Sequence, residues 1–184
     1  MQASKGKGRM ATWLGRVTVA GWIGLAAIGV PSAATSARAQ SSADTVLAAA
    51  EAAKLLPASV FFRGQSATTQ VRNSGGVKFA DGMFVLATMV DTSGYSSEVQ
   101  QKYQAYFITE VPIKIEGHNL PAGIYGVGFV AVDKFVVLDV GAHELFSVSS
   151  HSDAELKRPV PLKVAAAPGG FRLYAGRSYI TFSK

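Results

Sequence analysis

The sequence predicts a mainly β protein, an antiparallel β-sandwich or closed β-barrel of about 8–12 short strands with one N-terminal α-helix. Three observations lead there. From Ala58 onward, short runs rich in β-branched and aromatic residues follow one another, among them SVFFRG, TTQVR, VKFA, MFVLATMV, YQAYFITE, GIYGVGFVA, FVVLDV and SYITF. Turn chemistry separates them at Asn73-Ser74-Gly75-Gly76, Asp81-Gly82, Ser93-Gly94, Asp133-Lys134, Pro168-Gly169-Gly170 and Gly176. No long helical period lies between the runs, so the crossover helices that a parallel sheet needs are missing from the pattern.

The first segment reads as an export signal. Residues 1–16 carry Lys5, Lys7, Arg9 and Arg16 with no acid, and Val17 to Val30 is an uncharged apolar run broken by Pro31. Ala37-Arg38-Ala39 puts small residues at the two positions a signal peptidase reads, which predicts a signal peptide over 1–39 and a chain beginning at Gln40. The apolar run of 14 residues covers only about 21 Å as a helix, short of the roughly 30 Å hydrocarbon core, so no membrane-spanning segment is expected after cleavage. No cysteine follows to carry a lipid anchor.

Cleavage also changes the charge argument. From Gln40 onward 13 basic residues face 12 acidic ones, a net +1. The high pI of the full chain therefore belongs to the leader and gives no support for a nucleic-acid partner. The remaining 145 residues (40–184) suit one domain with a packed core and no crosslinks.

Residues 40–57 read as a polar lead and the N-terminal helix. Asp44 is placed to cap it, Val46, Ala49, Ala50, Ala53 and Leu56 fall near a 3.6-residue period, and Pro57 ends it. Its stripe is mostly alanine, so it should lie against a sheet. Residues 58–184 form the single antiparallel β domain. Ile113 and Ile115 alternate with Lys114 and Glu116, and Phe171 and Leu173 with Arg172 and Tyr174, which gives those strands one wet face. MFVLATMV and FVVLDV are apolar on both faces and should be interior. Within the β region, SSEVQQKY (96–103) reads as a short helix with Ser96 as cap and Val99 and Tyr103 on one face.

Two aspartates invite a catalytic interpretation. Leu138-Asp139-Val140-Gly141-Ala142 and Val90-Asp91-Thr92-Ser93-Gly94 both approach the Asp-Thr/Ser-Gly turn of aspartic proteases, in which paired carboxylates share a proton. The first has Val where the hydroxyl belongs, and the second inserts Ser before the Gly. A strand ending in a solvated Asp explains each without chemistry. His143-Glu144 lacks the second His of a helical zinc motif, His118 lies in a Gly117-His118-Asn119 turn, and His151-Ser152-Asp153 sits in a polar loop. A hydrolase built on Asp91, Asp139, His143 or a spatial His cluster remains the alternative function, and no metal or other cofactor is called for.

A ligand-binding interpretation rests on Ile124-Tyr125-Gly126-Val127-Gly128-Phe129. Strand periodicity puts Ile124, Gly126, Gly128 and Val130 on one face and Tyr125 with Val127 on the other. Two glycines on one face make a groove that a ligand, a partner backbone or a tight sheet contact fills. Tyr103 and Tyr106 are further aromatic candidates for its lining.

Leu120-Pro121-Ala122-Gly123-Ile124-Tyr125-Gly126, followed by the Phe135–Leu138 run, resembles the proline-alanine-glycine-x-tyrosine segment of small exported bacterial β-sandwich proteins classed as domains of unknown function. The resemblance implies export and an antiparallel β fold and brings no functional residue with it. The expectation is a secreted or periplasmic non-catalytic β domain that binds a small ligand or another envelope component. A structural or assembly role at the cell surface is a further alternative.

Overall fold

The computed structural model describes residues 43–131 and 133–184, so the segment expected to be a signal peptide, with its expected cleavage site, lies outside the described residues. The chain runs β1 (Thr45–Leu47), α1 (Ala49–Ala52), β2 (Ser59–Phe62), β3 (Gln65–Lys78), β4 (Phe84–Val90), α2 (Ser97–Lys102), β5 (Ala105–Thr109), β6 (Ile113–Ile115) and β7 (His118–Leu120). It continues through β8 (Gly123–Val130), β9 (Lys134–Leu138), β10 (Glu144–Ser149), β11 (His151–Ser152), β12 (Val160–Ala167), β13 (Gly170–Gly176) and β14 (Ser178–Ser183). Every pairing is antiparallel. The large sheet has the order β1-β3-β4-β5-β8-β9-β10, with β2 on the far half of β3. The small sheet has the order β12-β13-β14-β6-β7, with β11 also on β14. The expected mainly β antiparallel fold is thus a sandwich rather than a closed barrel, because both sheets keep edge strands.

The main core lies between the sheets. Phe107, Phe135, Ile115, Leu120, Ile180 and Phe182 are each no more than 1% exposed there. The large sheet is covered on its other face as well. Leu47, Ala52 and Leu56 pack around α1 onto Leu86, and the β2–β3 hairpin with α2 brings Phe62, Tyr95, Val99 and Tyr103 onto Tyr106 and Leu138. That second layer is the physical reason why the MFVLATMV and FVVL runs are apolar on both faces, with Thr88 the one polar residue among them: their strands, β4 and β9, have protein on both faces.

Two tight hairpins close at glycines outside the turn signals named for the strand boundaries. Arg63 and Gly64 both take positive φ between Phe62 and its partner Gln65, as do Glu116 and Gly117 between Ile115 and His118, the backbone of two-residue primed turns.

Four local expectations need correction. The N-terminal segment is a strand followed by one helical turn, not a helix over 44–57; Asp44 instead accepts the Ala80 N–H through Oδ1 at 2.9 Å. Val46 pairs with Val77 in β1, so the free edge of β3 captures Thr45–Leu47, whose Thr and Val are weak helix formers, and leaves only the alanine-rich stretch after them to turn helical. Asn73-Ser74-Gly75-Gly76 is not a turn but the interior of the 14-residue strand β3. Between Gln70 and Ser74 the register jumps, and the extra residues bulge, held by Asn73 Nδ2 donating to Gln70 Oε1 and Ser74 Oγ to Val71 O. Gly75 is needed because a Cβ there would lie 2.9 Å from the Val164 backbone nitrogen, where the two sheets touch. Finally, His118 opens β7 and His151 opens β11 rather than lying in loops, while α2 forms with Val99 and Tyr103 buried but without a side-chain hydrogen bond from Ser96.

Candidate functional site

Asp139 follows the last residue of β9 and organises its own turn. Its Oδ1 accepts the Gly141 N–H at 2.8 Å and the His143 N–H at 2.9 Å, while Oδ2 meets His143 Nδ1 at 2.9 Å. The His143 side chain first, then the backbone N–H groups, hold the Asp139 carboxyl below its ordinary value. Asp91 is bonded in the same way to the Ser93 N–H at 3.0 Å, and that bond lowers its pKa too. Leu138, Gly126, Tyr106 and Thr88 are in cross-strand register. Three interstrand steps separate β9 from β4, which puts the two aspartates roughly 14 Å apart across the sheet and a further 13 Å or so along it. Such a pair cannot share a proton, so the arrangement lacks the central requirement of aspartic-protease chemistry.

The histidines do not converge. His118 stacks on Phe146 at 5.5 Å, His143 stays with Asp139, and His151 Nε2 meets Glu116 Oε2 at 3.4 Å beside Tyr179. Among the described residues no group of three His, Asp or Glu side chains is placed to hold a metal ion.

The glycine face of β8 is occupied by the protein itself. A Cβ on Gly126 would lie 2.6 Å from Phe62 Cε2 and 2.8 Å from Tyr103 Cδ2; one on Gly128 would lie 2.3 Å from the Lys102 carbonyl oxygen. The Phe62 and Tyr103 rings stack at 3.7 Å, and Gln104 clamps the end of α2 to β8 by donating to Phe129 O and accepting from Phe129 N. The groove expected over Gly126 and Gly128 is therefore filled, since the sequence pattern marks a close approach without saying what approaches. Tyr125 points into the main core with its hydroxyl donating to Pro121 O, Tyr106 is buried, and Ile124 is exposed at the far end of the strand. Tyr103 is fully buried, burial pushes its hydroxyl pKa well up, and that hydroxyl has no partner among the described residues.

A different surface carries the ligand-type chemistry. On the small sheet Leu162, Val164, Phe171, Leu173, Ile180 and Phe182 face the core. Their strand neighbours Lys163, Arg172, Tyr174, Tyr179, Thr181 and Lys114 therefore share the outer face. Lys163 Nζ sits 4.8 Å from the Tyr174 ring centre, and the Arg172 guanidinium 4.3 Å from that of Tyr179. Arg172 Nη1 donates to the Tyr174 hydroxyl, which donates to Asp153 Oδ2 at 3.0 Å. The neighbouring Tyr174 hydroxyl raises the Arg172 pKa further, so the guanidinium stays charged. At the other end Lys114 lies between two hollows of about 440 and 210 Å3, the first also lined by Asn119, Pro121 and Lys184, the second by Thr181 and Ser183.

Charge is divided accordingly. Residues 113–120 and 150–184, which build the small sheet, hold 7 basic and 3 acidic side chains, a net +4. The rest of the described chain holds 6 basic and 9 acidic, a net −3. Sequence reasoning passed over Lys163, Arg172, Tyr174, Tyr179 and Lys114 as site residues. The signal was present in the alternation of Arg172 and Tyr174 with Phe171 and Leu173, and in the basic excess of the last strands. No family model, no curated protein and no solved structure matches this chain.

Proposed function

We propose that this protein is an exported, non-catalytic β-sandwich domain that holds an anionic component of the cell envelope on the outer face of its small sheet. The division of charge, +4 on the small sheet against −3 on the remainder, carries the proposal. A net of +1 spread evenly would attract no anion, whereas the same charges gathered on one sheet create a local field over roughly a Debye length of about 8–10 Å. Stacking on tyrosine fixes the Arg172 and Lys163 head groups before a ligand arrives, which lowers the ordering cost of binding. The buried apolar layers leave the catalytic alternative without a paired carboxylate. The test is co-sedimentation of the purified 40–184 chain with isolated envelope fragments: we expect binding that is released by salt and weakened in Lys114→Gln and Lys163→Gln. Salt-resistant binding, or none, refutes the assignment. The same division of charge also favours head-to-tail self-association, the assembly role, which sedimentation equilibrium at low and high salt separates from ligand binding.

A further inference from the structure

Resting on that assignment, we infer that the ligand is a linear acidic polysaccharide laid diagonally across the outer face of the small sheet from Lys114 past Arg172 to Lys163. The register sets the line. Lys114 pairs with Ser183, Arg172 with Thr181, and Tyr179 with Tyr174, which pairs in turn with Lys163. Each step moves across the sheet and two residues along it, so the three cations form one oblique row roughly 20 Å from end to end. A row of that length fits a polymer with repeated charges better than a single small anion.

Hydroxyl groups of Tyr179, Thr181 and Ser183 on β14 lie between the strands that carry the cations, and the Asn119 amide on β7 lies just beyond Lys114. These donate and accept alternately, as sugar hydroxyls require. The two anions near the row are already engaged. Glu116 accepts the Thr181 N–H at 2.5 Å and meets His151, and Asp153 accepts from Tyr174. Among the described residues neither Lys114 nor Lys163 is in an ion pair, while Arg172 keeps its stack on Tyr179 and its bond to the Tyr174 hydroxyl and offers its remaining donors to an external anion.

Other polyanions fit less well. Single-stranded nucleic acid needs open aromatic planes for base stacking; here Lys163 covers one face of Tyr174, Arg172 covers one face of Tyr179, and Tyr174 is only 5% exposed. An anionic membrane surface is held by cations together with apolar side chains that enter it. Among the described residues, the exposed large apolar side chains of Leu55, Phe61, Met83, Ile124, Val140 and Leu145 belong to the large-sheet body, and only that of Val160 lies on the small sheet.

The experiment is equilibrium binding of the 40–184 chain to polygalacturonate, alginate, neutral dextran, double-stranded and single-stranded DNA, and phosphatidylglycerol vesicles at fixed ionic strength. We expect the two polyuronates to bind and dextran not to. Lys114→Ala, which changes an exposed side chain, should weaken polyuronate binding about fivefold, the scale of one lysine near an anionic surface. Arg172→Lys keeps the charge but loses the planar fork stacked on Tyr179, and should weaken it at least as much. If DNA or vesicles bind as tightly as polyuronate, the polysaccharide inference falls while the anion-binding assignment stands. If envelope fragments bind but no polyuronate does, the inference falls in the same way. If Lys114→Ala leaves polyuronate binding unchanged, the proposed row is wrong.

Discussion

Gly126→Val tests the central claim that the glycine face of β8 is core. An ideal Cβ at Gly126 already lies 2.6 Å from Phe62 Cε2, 2.8 Å from Tyr103 Cδ2 and 2.9 Å from Phe62 Cζ. Those two rings stack on each other at 3.7 Å and are 1% and 0% exposed, with Tyr95 edge-on to both, so neither can swing into solvent. The two further methyl groups of valine deepen the clash, and overpacking of this kind costs about 1–3 kcal/mol. For a domain of this size that is a fall in melting temperature of roughly 2–12 °C. The assay is thermal and urea denaturation of wild type, Gly126→Val, Phe62→Leu and the double variant Gly126→Val/Phe62→Leu. Removing the ring should recover part of the loss, because contacting residues couple by about 0.5–3 kcal/mol. Polyanion binding by Gly126→Val should match wild type below the transition. An unchanged melting temperature, or strict additivity in the double variant, would refute the packing argument.

The remaining predictions concern the same two layers and the aspartate turn. Gly75→Ala forces a Cβ to within 2.9 Å of the Val164 backbone, which cannot rotate away, so it should destabilise by about 1–3 kcal/mol in urea titration. Tyr103→Phe removes a buried hydroxyl without a partner and should leave stability unchanged or raise it, whereas Tyr95→Phe loses bonds to Phe62 O and Gln65 O and should cost about 1 kcal/mol. Asp81, Asp91 and Asp139 all have pKa values lowered in the folded chain, Asp81 chiefly by Lys184. A lowered folded value means that the stabilisation is complete above the unfolded carboxylate range, about pH 4, and is lost as pH falls through the folded value. Stability should therefore be level from neutral pH down to that range and then decline, with a shallower decline in Asp139→Asn. At neutral pH, Asp139→Asn should leave the urea midpoint nearly unchanged, since the asparagine oxygen still accepts the Gly141 and His143 N–H groups. Peptide cleavage by wild type that both Asp139→Asn and Asp91→Asn abolish would overturn the non-catalytic assignment.

Much of this protein was legible before any coordinates. Alternation at Ile113, Lys114 and Ile115 gave the inward and outward faces of β6 correctly, since a strand's period of two is a local property of the backbone. The aspartate turn was legible for the same reason: Asp139 finds all of its partners within four residues. What needed the tertiary structure was everything decided by a neighbour distant in the chain. Asn73-Ser74-Gly75-Gly76 has the composition of a turn, and becomes a bulged strand because β4 pairs with it on one side while Val164 of the other sheet presses against Gly75. The glycines of β8 announce a close approach, and only the fold reveals that Phe62 and the end of α2 make it. Lys114, Lys163 and Arg172 are scattered over three strands with nothing in their local sequence to unite them. They become one row because antiparallel pairing brings β12, β13, β14 and β6 side by side, and register across strands is set by which residues pack beneath, a property no single segment contains.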